Sequence, residues 1–390
     1  SNPLWPFMDA GGRDILGKSR RILRTGILIL FILILAAAGV SFLSNRGLPT
    51  HSRLIDRLDP QEKSFLAEAI HLKQTVGESL WPDWSRAEIP LLSRNEQYGF
   101  LVGDPNPPPG WEQVPGDTFL GNPYYRIQNP ESVAFAVPIG NRWTASLPTK
   151  DWMQISFANN LRGHIPGFLK PVFPYRLPMR LFNLNSSDFH IAILLHESFH
   201  AFQAGMAPDR FAEARKAYRV ETNYPWENPE LQKSWKLELT LLARAVNARS
   251  DEEEANLARE FLAARRQRRQ RHGLDVSTVN YERHMEWLEG LAKYIELAVW
   301  REASLSRTYI PMPELSGDPD FKRYQTFSSQ WSKELMNMRM QSARQGDIRF
   351  YYSGMAQAFL LDRLRPGWKT RIMAQDVWLE GLLAEATENH

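Results

Sequence analysis

The sequence predicts an α+β protein that is mainly helical, with a small sheet in its N-terminal part and one transmembrane helix ahead of it. Three observations lead to this fold class. An uncharged apolar run lies near the N-terminus, short runs of strand formers punctuated by Pro and Gly occupy residues 95–180, and helical periodicity dominates residues 181–390. A chain of 390 residues is long enough for one large domain or two ordinary ones.

Composition excludes several classes of function. The chain has no cysteine, so it has no disulfide framework, no thiolate metal site and no cysteine nucleophile. The net charge of +3 comes from residues 1–24, because basic and acidic residues balance at 42 each in the rest of the chain. This balance predicts no nucleic-acid partner.

The apolar run predicts a membrane anchor. Residues 25–44 are uncharged, and 20 residues is about the length of helix that crosses a bilayer. A basic cluster precedes the run, so the positive-inside rule places residues 1–24 in the cytoplasm and the bulk of the chain on the extracytoplasmic side. The small residues 36–38 would also suit a cleaved signal peptide, but the run continues to Leu43, which favours an uncleaved single-pass anchor.

The rest of the chain is predicted to fall into three parts. Residues 45–94 form a helical juxtamembrane segment, in which a helix begins after Asp59 and ends near Gly77. The part that contains the sheet is 95–180, with strands at 98–102, 132–139 and 153–157. The part 181–390 has helical segments near 187–205, 230–270, 281–304, 320–344 and 350–363.

A basic run at residues 265–271 stands out inside the helical part. We expect a solvated helix end there, with contact to anionic lipid headgroups as the alternative.

A metal-binding motif lies in the first of these helical segments. His196 and His200 flank Glu197 in the pattern His-Glu-x-x-His, preceded by an apolar run and by Ser186 and Ser187 as candidate caps. Residues four apart share a helix face, so both imidazoles can reach one ion while Glu197 takes a proton from water beside it. Burying these three groups without a ligand would be costly. The motif therefore predicts one Zn²⁺ per chain.

A second segment resembles the gluzincin group of zinc peptidases, particularly its aminopeptidase branch. In that branch a glutamate serves as the third zinc ligand and is followed by Gly, an apolar residue and Ala, with Tyr and Glu just beyond. The matching positions here are Glu289, Gly290, Ala292, Tyr294 and Glu296. The resemblance implies a zincin-like domain in which Glu289 completes the metal site.

The same branch has a Tyr three residues ahead of a Gly, about sixty residues after the third ligand. Here Tyr351 and Gly354 have that spacing, so the resemblance implies that Tyr351 donates a hydrogen bond to the oxyanion. Tyr352 is the alternative donor, and simple aromatic packing of both rings is the other interpretation.

Three departures from the family pattern are visible. The 88 residues between His200 and Glu289 predict an insertion, and the family's Gly-x-Met-Glu-Asn segment is absent, which leaves endopeptidase and exopeptidase action open. Lys293 replaces the acidic residue that thermolysin-like relatives have four positions after the third ligand, so Glu286 or Glu296 could orient a ligand histidine instead.

Other residues could supply the third ligand. Glu282 and Glu286 lack the neighbouring small residues that let helices approach closely, and Glu238 lies in a pattern typical of a charged surface. His284 is the remaining alternative. We favour Glu289.

These features predict a membrane-anchored zinc metallopeptidase acting on a peptide or protein substrate, with Glu197 as general base. A free edge of the predicted sheet could hold an extended substrate by strand addition. The alternatives are an inactive zincin that binds partners at the membrane, a zinc hydrolase of another envelope amide bond, and a structural protein in which the motifs are packing coincidences.

Overall fold

The computed structural model describes residues 11–130 and 135–388, with side chains described from residue 23 onwards. Residues 1–10 of the predicted cytoplasmic tail and 132–134 of a predicted strand lie outside the described residues. The chain divides into two compact units. The first comprises residues 1–51 and 154–183, and the second comprises residues 52–153 and 184–390.

The first unit contains helix α1, Gly11–Asn45. Its part Leu23–Asn45 is long and apolar enough to cross a membrane and has no buried residues, properties that a signal sequence shares. The unit also contains most of α3, Lys150–His164, and the short helix α4, Arg176–Leu181.

Residues 153–157, predicted as a strand, lie within α3, so that prediction is wrong. The hydroxyl of Thr149 accepts a hydrogen bond from the amide of Trp152 at 3.1 Å, which satisfies a free donor at the start of the helix. Ile155 and Ala158 are both buried, at helical rather than strand spacing. Local capping and this spacing outweigh the strand propensity of the run.

The second unit contains a six-stranded mixed sheet with the strand order β3-β4-β2-β1-β6-β5. Only β1 and β6 run parallel; the other neighbours are antiparallel. The sheet begins and ends earlier than the predicted part 95–180. Its strands are β1 Leu91–Arg94, β2 Tyr98–Val102, β3 Glu112–Gln113, β4 Tyr125–Gln128, β5 Phe135–Ile139 and β6 Arg142–Pro148.

Helices make up most of the second unit. Helix α2, Pro60–Leu80, begins after Asp59, whose carboxylate accepts the amide hydrogen of Gln61 at 2.9 Å as its capping position predicts. The other helices are α5 Ser187–Met206, α6 Pro208–Ala217, α7 Pro229–Ala245, α8 Asp251–Arg271, α9 Val276–Met285, α10 Leu291–Leu305, α11 Phe327–Met340, α12 Ile348–Leu364, α13 Lys369–Ile372 and α14 Leu379–Thr387.

The predicted helical segments largely coincide with these helices, with one split. The segment 230–270 is divided into α7 and α8 at Ser250, whose hydroxyl accepts the amide hydrogen of Glu253 at 3.2 Å and so begins α8. A mainly helical chain with a small sheet and one apolar N-terminal helix is confirmed.

Helices α5 and α10 lie at the centre of the second unit. Nearly all of α5 is buried, and it packs against β5 and β6 on one side and against α2 and α10 on others. Helix α10 is buried from Leu291 to Trp300. A helix that is buried around its whole circumference must satisfy or pair every polar side chain that it carries.

The basic run 265–271 departs from the solvated helix end that we expected. Arg265 and Arg268 are buried, three residues apart on one face of α8, and their guanidinium groups form ion pairs with buried glutamates. Among these partners is Glu238, which is likewise buried rather than on a charged surface. The sequence pattern could not reveal this, because the matching acids lie on other helices.

Candidate metal centre

Helix α5 positions the two histidines of the motif. The hydroxyl of Ser186 accepts the amide hydrogen of Phe189 at 3.2 Å, so the helix begins three turns before the motif. His196 and His200 then lie one turn apart and are both buried. Their Nε2 atoms are 3.1 Å apart and face the same point.

Glu289 reaches that point from a different helix. A π-helical turn, Glu286–Gly290, joins α9 to α10, and such turns are frequent at functional sites because they redirect side chains. The Oε2 atom of Glu289 lies 3.2 Å from Nε2 of His200 and 3.6 Å from Nε2 of His196. The structure therefore brings together His196, His200 and Glu289, which are far apart in the sequence.

These three separations suit a zinc ion. Bonds of about 2.0–2.1 Å at tetrahedral angles place ligand atoms about 3.3–3.4 Å from one another. The observed triangle has sides of 3.1, 3.2 and 3.6 Å. A cluster of this type, with two imidazoles and one carboxylate, is a common ligand set of catalytic zinc.

The hydrogen on His200 is fixed by Gln203. The amide nitrogen of Gln203 donates to the carbonyl of Trp287 at 2.8 Å, so its amide oxygen must be the atom 3.0 Å from Nδ1 of His200. Nδ1 therefore carries a hydrogen, and Nε2 is the ring nitrogen that faces the cluster.

His196 lies beside a carboxylate. Its Nδ1 is 3.3 Å from Oε2 of Glu296, and the other oxygen of Glu296, Oε1, accepts a hydrogen bond from Lys293 at 2.6 Å. The sequence analysis offered Glu286 or Glu296 for this orienting role, and the structure brings Glu296 to it. Two ring nitrogens and a carboxylate oxygen thus converge on one point, an arrangement that can hold a metal ion.

The local charge also favours a cation. Burial lowers the pKa of His196, but hydrogen bonds to Glu289 and Glu296 and the charge of Glu197 outweigh burial and raise that pKa to about 10. Burial raises the pKa of Glu289, whereas both histidines lower it, and the net pKa lies well below the usual value. The negative charge of these carboxylates, which favours a proton on His196, would also attract a metal ion.

Glu197 has the properties of a proton acceptor. It is 7% exposed, and its buried Oε2 atom has no hydrogen-bond partner among the described residues. Burial raises its pKa, the charges of the two histidines oppose that rise, and those of Glu289 and Glu296 add to it. A carboxylate whose pKa is raised is better suited to accept and then return a proton.

The two tyrosines of α12 differ in their surroundings. Tyr351 stacks on the ring of His196, with ring centres 6.0 Å apart, and hydrogen-bonds to Glu289. Tyr352 instead donates to Glu334 at 2.8 Å. Tyr351 is therefore the tyrosine of this pair that faces the cluster.

A third tyrosine, which the sequence analysis did not identify, also reaches the cluster. Tyr218 donates to Oε1 of Glu289 at 2.6 Å and lies 3.2 Å from Asp347. This contact holds the carboxylate oxygen that is turned away from the histidines. Tyr218 follows α6 in the 88-residue insertion and belongs to no recognisable motif, so no sequence signal could have found it. Gln203 could have been found, because it lies one helical turn after His200 on the same helix.

Two glycines set the distance between the helices that carry these groups. A Cβ atom on Gly290 would lie 2.5 Å from Cα of Gly354, and one on Gly354 would lie 2.5 Å from the carbonyl oxygen of Glu286. The backbones of the π-helical turn and α12 therefore touch. This contact explains physically why Glu289 and Tyr351 are each followed by a glycine on the same helix.

The alternative third ligands lie elsewhere. Glu238, Glu282 and Glu286 accept hydrogen bonds from Arg265 or Arg268. His284 packs against Trp378, with ring centres 5.0 Å apart. None of these four belongs to the cluster.

The edge strand β5 lies beside the cluster. The ring of Phe135, at the start of β5, is 4.5 Å from that of His200. Among the described residues, β5 pairs only with β6, so its other edge carries backbone groups without a strand partner.

Comparison of the chain with protein-family models, with curated proteins and with solved structures gave no match.

Proposed function

We propose that the protein is a zinc-dependent peptidase, anchored in a membrane by residues 25–44, with one zinc ion held by His196, His200 and Glu289. The observation that carries this proposal is the convergence of two imidazole nitrogens and one carboxylate oxygen at zinc-like separations, with the free carboxylate oxygen of Glu197 beside them. The resemblance of the three motifs to gluzincins adds support.

The chemistry follows from the roles of the surrounding side chains. A bound zinc ion would polarise the scissile carbonyl and acidify a water molecule. Glu197 takes the proton of the attacking water and later returns it to the leaving amine. Tyr351, hydrogen-bonded to Glu289 when no substrate is present, donates instead to the oxyanion of the tetrahedral intermediate.

The edge of β5 is the proposed substrate platform. An extended peptide could add to this edge through backbone hydrogen bonds, which would lay its scissile bond near His200. Such binding selects an unfolded or flexible segment of the substrate, because a folded helix offers no free strand edge.

A zincin-like arrangement accounts for the insertion. The helix of the motif, α5, packs beside a sheet, and the third ligand comes from a later helix that packs against α5. The 88 intervening residues form α6 to α9, and this insertion supplies Tyr218 and the buried arginines. We place residues 1–24 in the cytoplasm and the catalytic unit outside it.

The first test is the zinc content of the full chain purified in detergent, beside Glu289→Ala. We expect about one zinc ion per wild-type chain and much weaker binding by the variant. Glu302→Ala is the matched control, since Glu302 lies on α10 but outside the cluster. A wild-type chain that binds no zinc after zinc is added back would refute the proposal, and zinc without hydrolysis of any peptide would favour a binding role.

A further inference from the structure

The first compact unit carries an exposed apolar surface. Within residues 166–182, here called the interfacial segment, Phe168 is 80% exposed and Leu181 is 60% exposed, and three further apolar side chains are exposed beside them: Leu169, Leu177 and Phe182. Exposed apolar groups in this number mark a contact site. We propose that the interfacial segment inserts into the headgroup region of an anionic bilayer, which rests on α1 being a membrane anchor but not on the peptidase activity.

The position of the segment supports this partner. The side-chain amide of Asn45, the last residue of α1, donates to the carbonyls of Pro171 at 3.0 Å and Phe173 at 2.9 Å. Arg176 adds a bond of 3.4 Å to the carbonyl of Gly47. The segment is thus attached at the end of the apolar span, where the hydrocarbon of a bilayer gives way to headgroups.

The charge of the segment matches an anionic surface. Residues 152–187 contain no aspartate or glutamate, although the chain as a whole has 44. The interfacial segment itself carries Lys170, Arg176 and Arg180, all exposed, and no described ion pair involves them. Each basic residue near an anionic membrane raises the partition coefficient about fivefold.

The short helix α4 arranges the two kinds of side chain. Leu177 and Leu181 are four residues apart and share one face, and Arg176 and Arg180 form a parallel row beside them. An apolar row next to a basic row is typical of an element that lies in the membrane interface with its apolar side chains below the headgroups. Because the interfacial segment is attached to the end of α1, a bilayer rather than a second protein is the partner that this surface would contact.

This segment also changes how the second unit is tethered. The chain enters the first unit again after residue 153 and leaves it after residue 183, in addition to the junction at residue 51. The second unit therefore has three covalent connections to the membrane-bound unit instead of one.

The absence of cysteine makes a direct test possible in the full chain. Single cysteines at Phe168→Cys and Leu181→Cys would carry an environment-sensitive fluorophore in nanodiscs of phosphatidylglycerol. Val276→Cys, 75% exposed in the second unit, is the matched control. We expect blue-shifted emission and quenching by brominated lipid at 168 and 181 but not at 276. Emission at 168 like that at 276, or a blue shift that brominated lipid does not quench, would overturn the proposal.

The charge requirement is tested on the Phe168→Cys background. Replacing Lys170 and Arg180 by Gln should lower the ratio of inserted to free segment by about 25-fold in phosphatidylglycerol, at fivefold for each charge. The same pair should have little effect in phosphatidylcholine. An equal effect in both lipids would overturn the anionic part of the proposal, and zinc content in all of these variants should stay at the wild-type level.

Discussion

Two buried clusters of charged side chains include residues from the helical stretch between α9 and α10. They differ in the groups that pair with their glutamates. The arginine cluster contains four arginines and four glutamates: Arg265, Arg268, Arg269, Arg283, Glu238, Glu282, Glu286 and Glu380. In the metal cluster, Lys293 pairs with two of the buried glutamates and the charge of Arg94 acts on a third: Glu296, Glu334 and Glu197. Every glutamate of the first cluster pairs with at least one arginine, whereas the described ion pairs of Glu289 are with the two histidines.

The comparison shows that burial of a glutamate does not by itself define its role. Glu282 and Glu289 are seven residues apart and both buried, yet Glu282 faces guanidinium groups and Glu289 faces two imidazoles. A guanidinium is permanently charged and completes the hydrogen bonds of a carboxylate, whereas an imidazole nitrogen can donate a hydrogen bond or bind a metal ion. We propose that a divalent cation is what the two imidazoles and Glu289 bind together.

The largest expected effect concerns Glu197, whose oxygen has no partner in either cluster. Glu197→Gln should lower peptide hydrolysis by about 10²–10⁴-fold, because the amide cannot accept the proton of the attacking water. Zinc content should be unchanged, since Glu197 is not in the ligand set. Hydrolysis rates on a mixed peptide library, with metal analysis of the same samples, would check this, and a variant with wild-type turnover would remove Glu197 from the mechanism.

The next prediction compares how one glutamate from each cluster contributes to the free energy of unfolding. Glu282→Gln should lower the free energy of unfolding by about 3–5 kcal/mol, because it leaves buried arginine charge without its partner. Glu289→Gln should also lower stability without zinc, because the histidines hold the pKa of Glu289 well below its usual value and its ionised form therefore stabilises the fold. In addition, it should abolish the stabilisation that added zinc gives, which Glu282→Gln should leave intact. Urea unfolding with and without zinc measures both, and an equal gain from zinc in the two variants would contradict the comparison.

The pH dependence of stability sharpens the same contrast. Burial raises the pKa of Glu282, but the charges of Arg268 and Arg269 outweigh burial and lower the pKa to about 2. A depressed pKa stabilises the fold above the unfolded value of about 4.3, and this contribution is lost as the pH falls toward 2. The difference in stability between wild type and Glu282→Gln should therefore shrink across that window, as unfolding curves at each pH would show; a constant difference would be inconsistent with the ion pairs.

A smaller effect tests the helix contact between the clusters. Gly354→Ala should destabilise the fold by about 1–3 kcal/mol and weaken zinc binding, because the new methyl would meet the backbone of Glu286. Gly205→Ala on α5, where no atom lies within 4 Å, is the control and should be neutral or stabilising by up to about 1 kcal/mol. Thermal unfolding and zinc titration provide the readout, and equal behaviour of both variants would argue against the close contact.

The smallest effect concerns the orientation of Glu289. Tyr218→Phe should weaken zinc binding by about 10-fold, since it releases the second carboxylate oxygen of the ligand. Tyr352→Phe removes a hydroxyl of the same kind that contacts Glu334 instead, and it should bind zinc like the wild type. Competition with a zinc chelator measures both affinities. Equal affinities would mean that Tyr218 only packs.

Part of this arrangement could be predicted from the sequence because it depends on local rules. Helical spacing places His196 and His200 on one face, and a serine cap fixes where that helix begins. The same holds for the apolar span and for the strands with clear turn residues around them. The small residues after Glu289 indicated a close helix contact, and Gly290 does meet Gly354 of α12.

Other features depend on which helices become neighbours. The arginines of α8 were expected in solvent, because a charge run looks the same in sequence whether or not acids from α7 and α9 face it. Residues 153–157 have strand propensity, yet a cap and the surrounding packing make them helical. Tyr218 and Phe135 reach the cluster from segments without any motif.

The sequence by itself determined the local geometry of this protein: the helix that carries the histidine pair, the apolar span and the excess of basic residues over 152–187. Only the tertiary structure decided which charges are paired and which converge without a partner. The physical reason is that a periodicity of 3.6 residues fixes neighbours within a few turns, whereas partners 21 to 115 residues apart, such as those of Arg265, are set by packing.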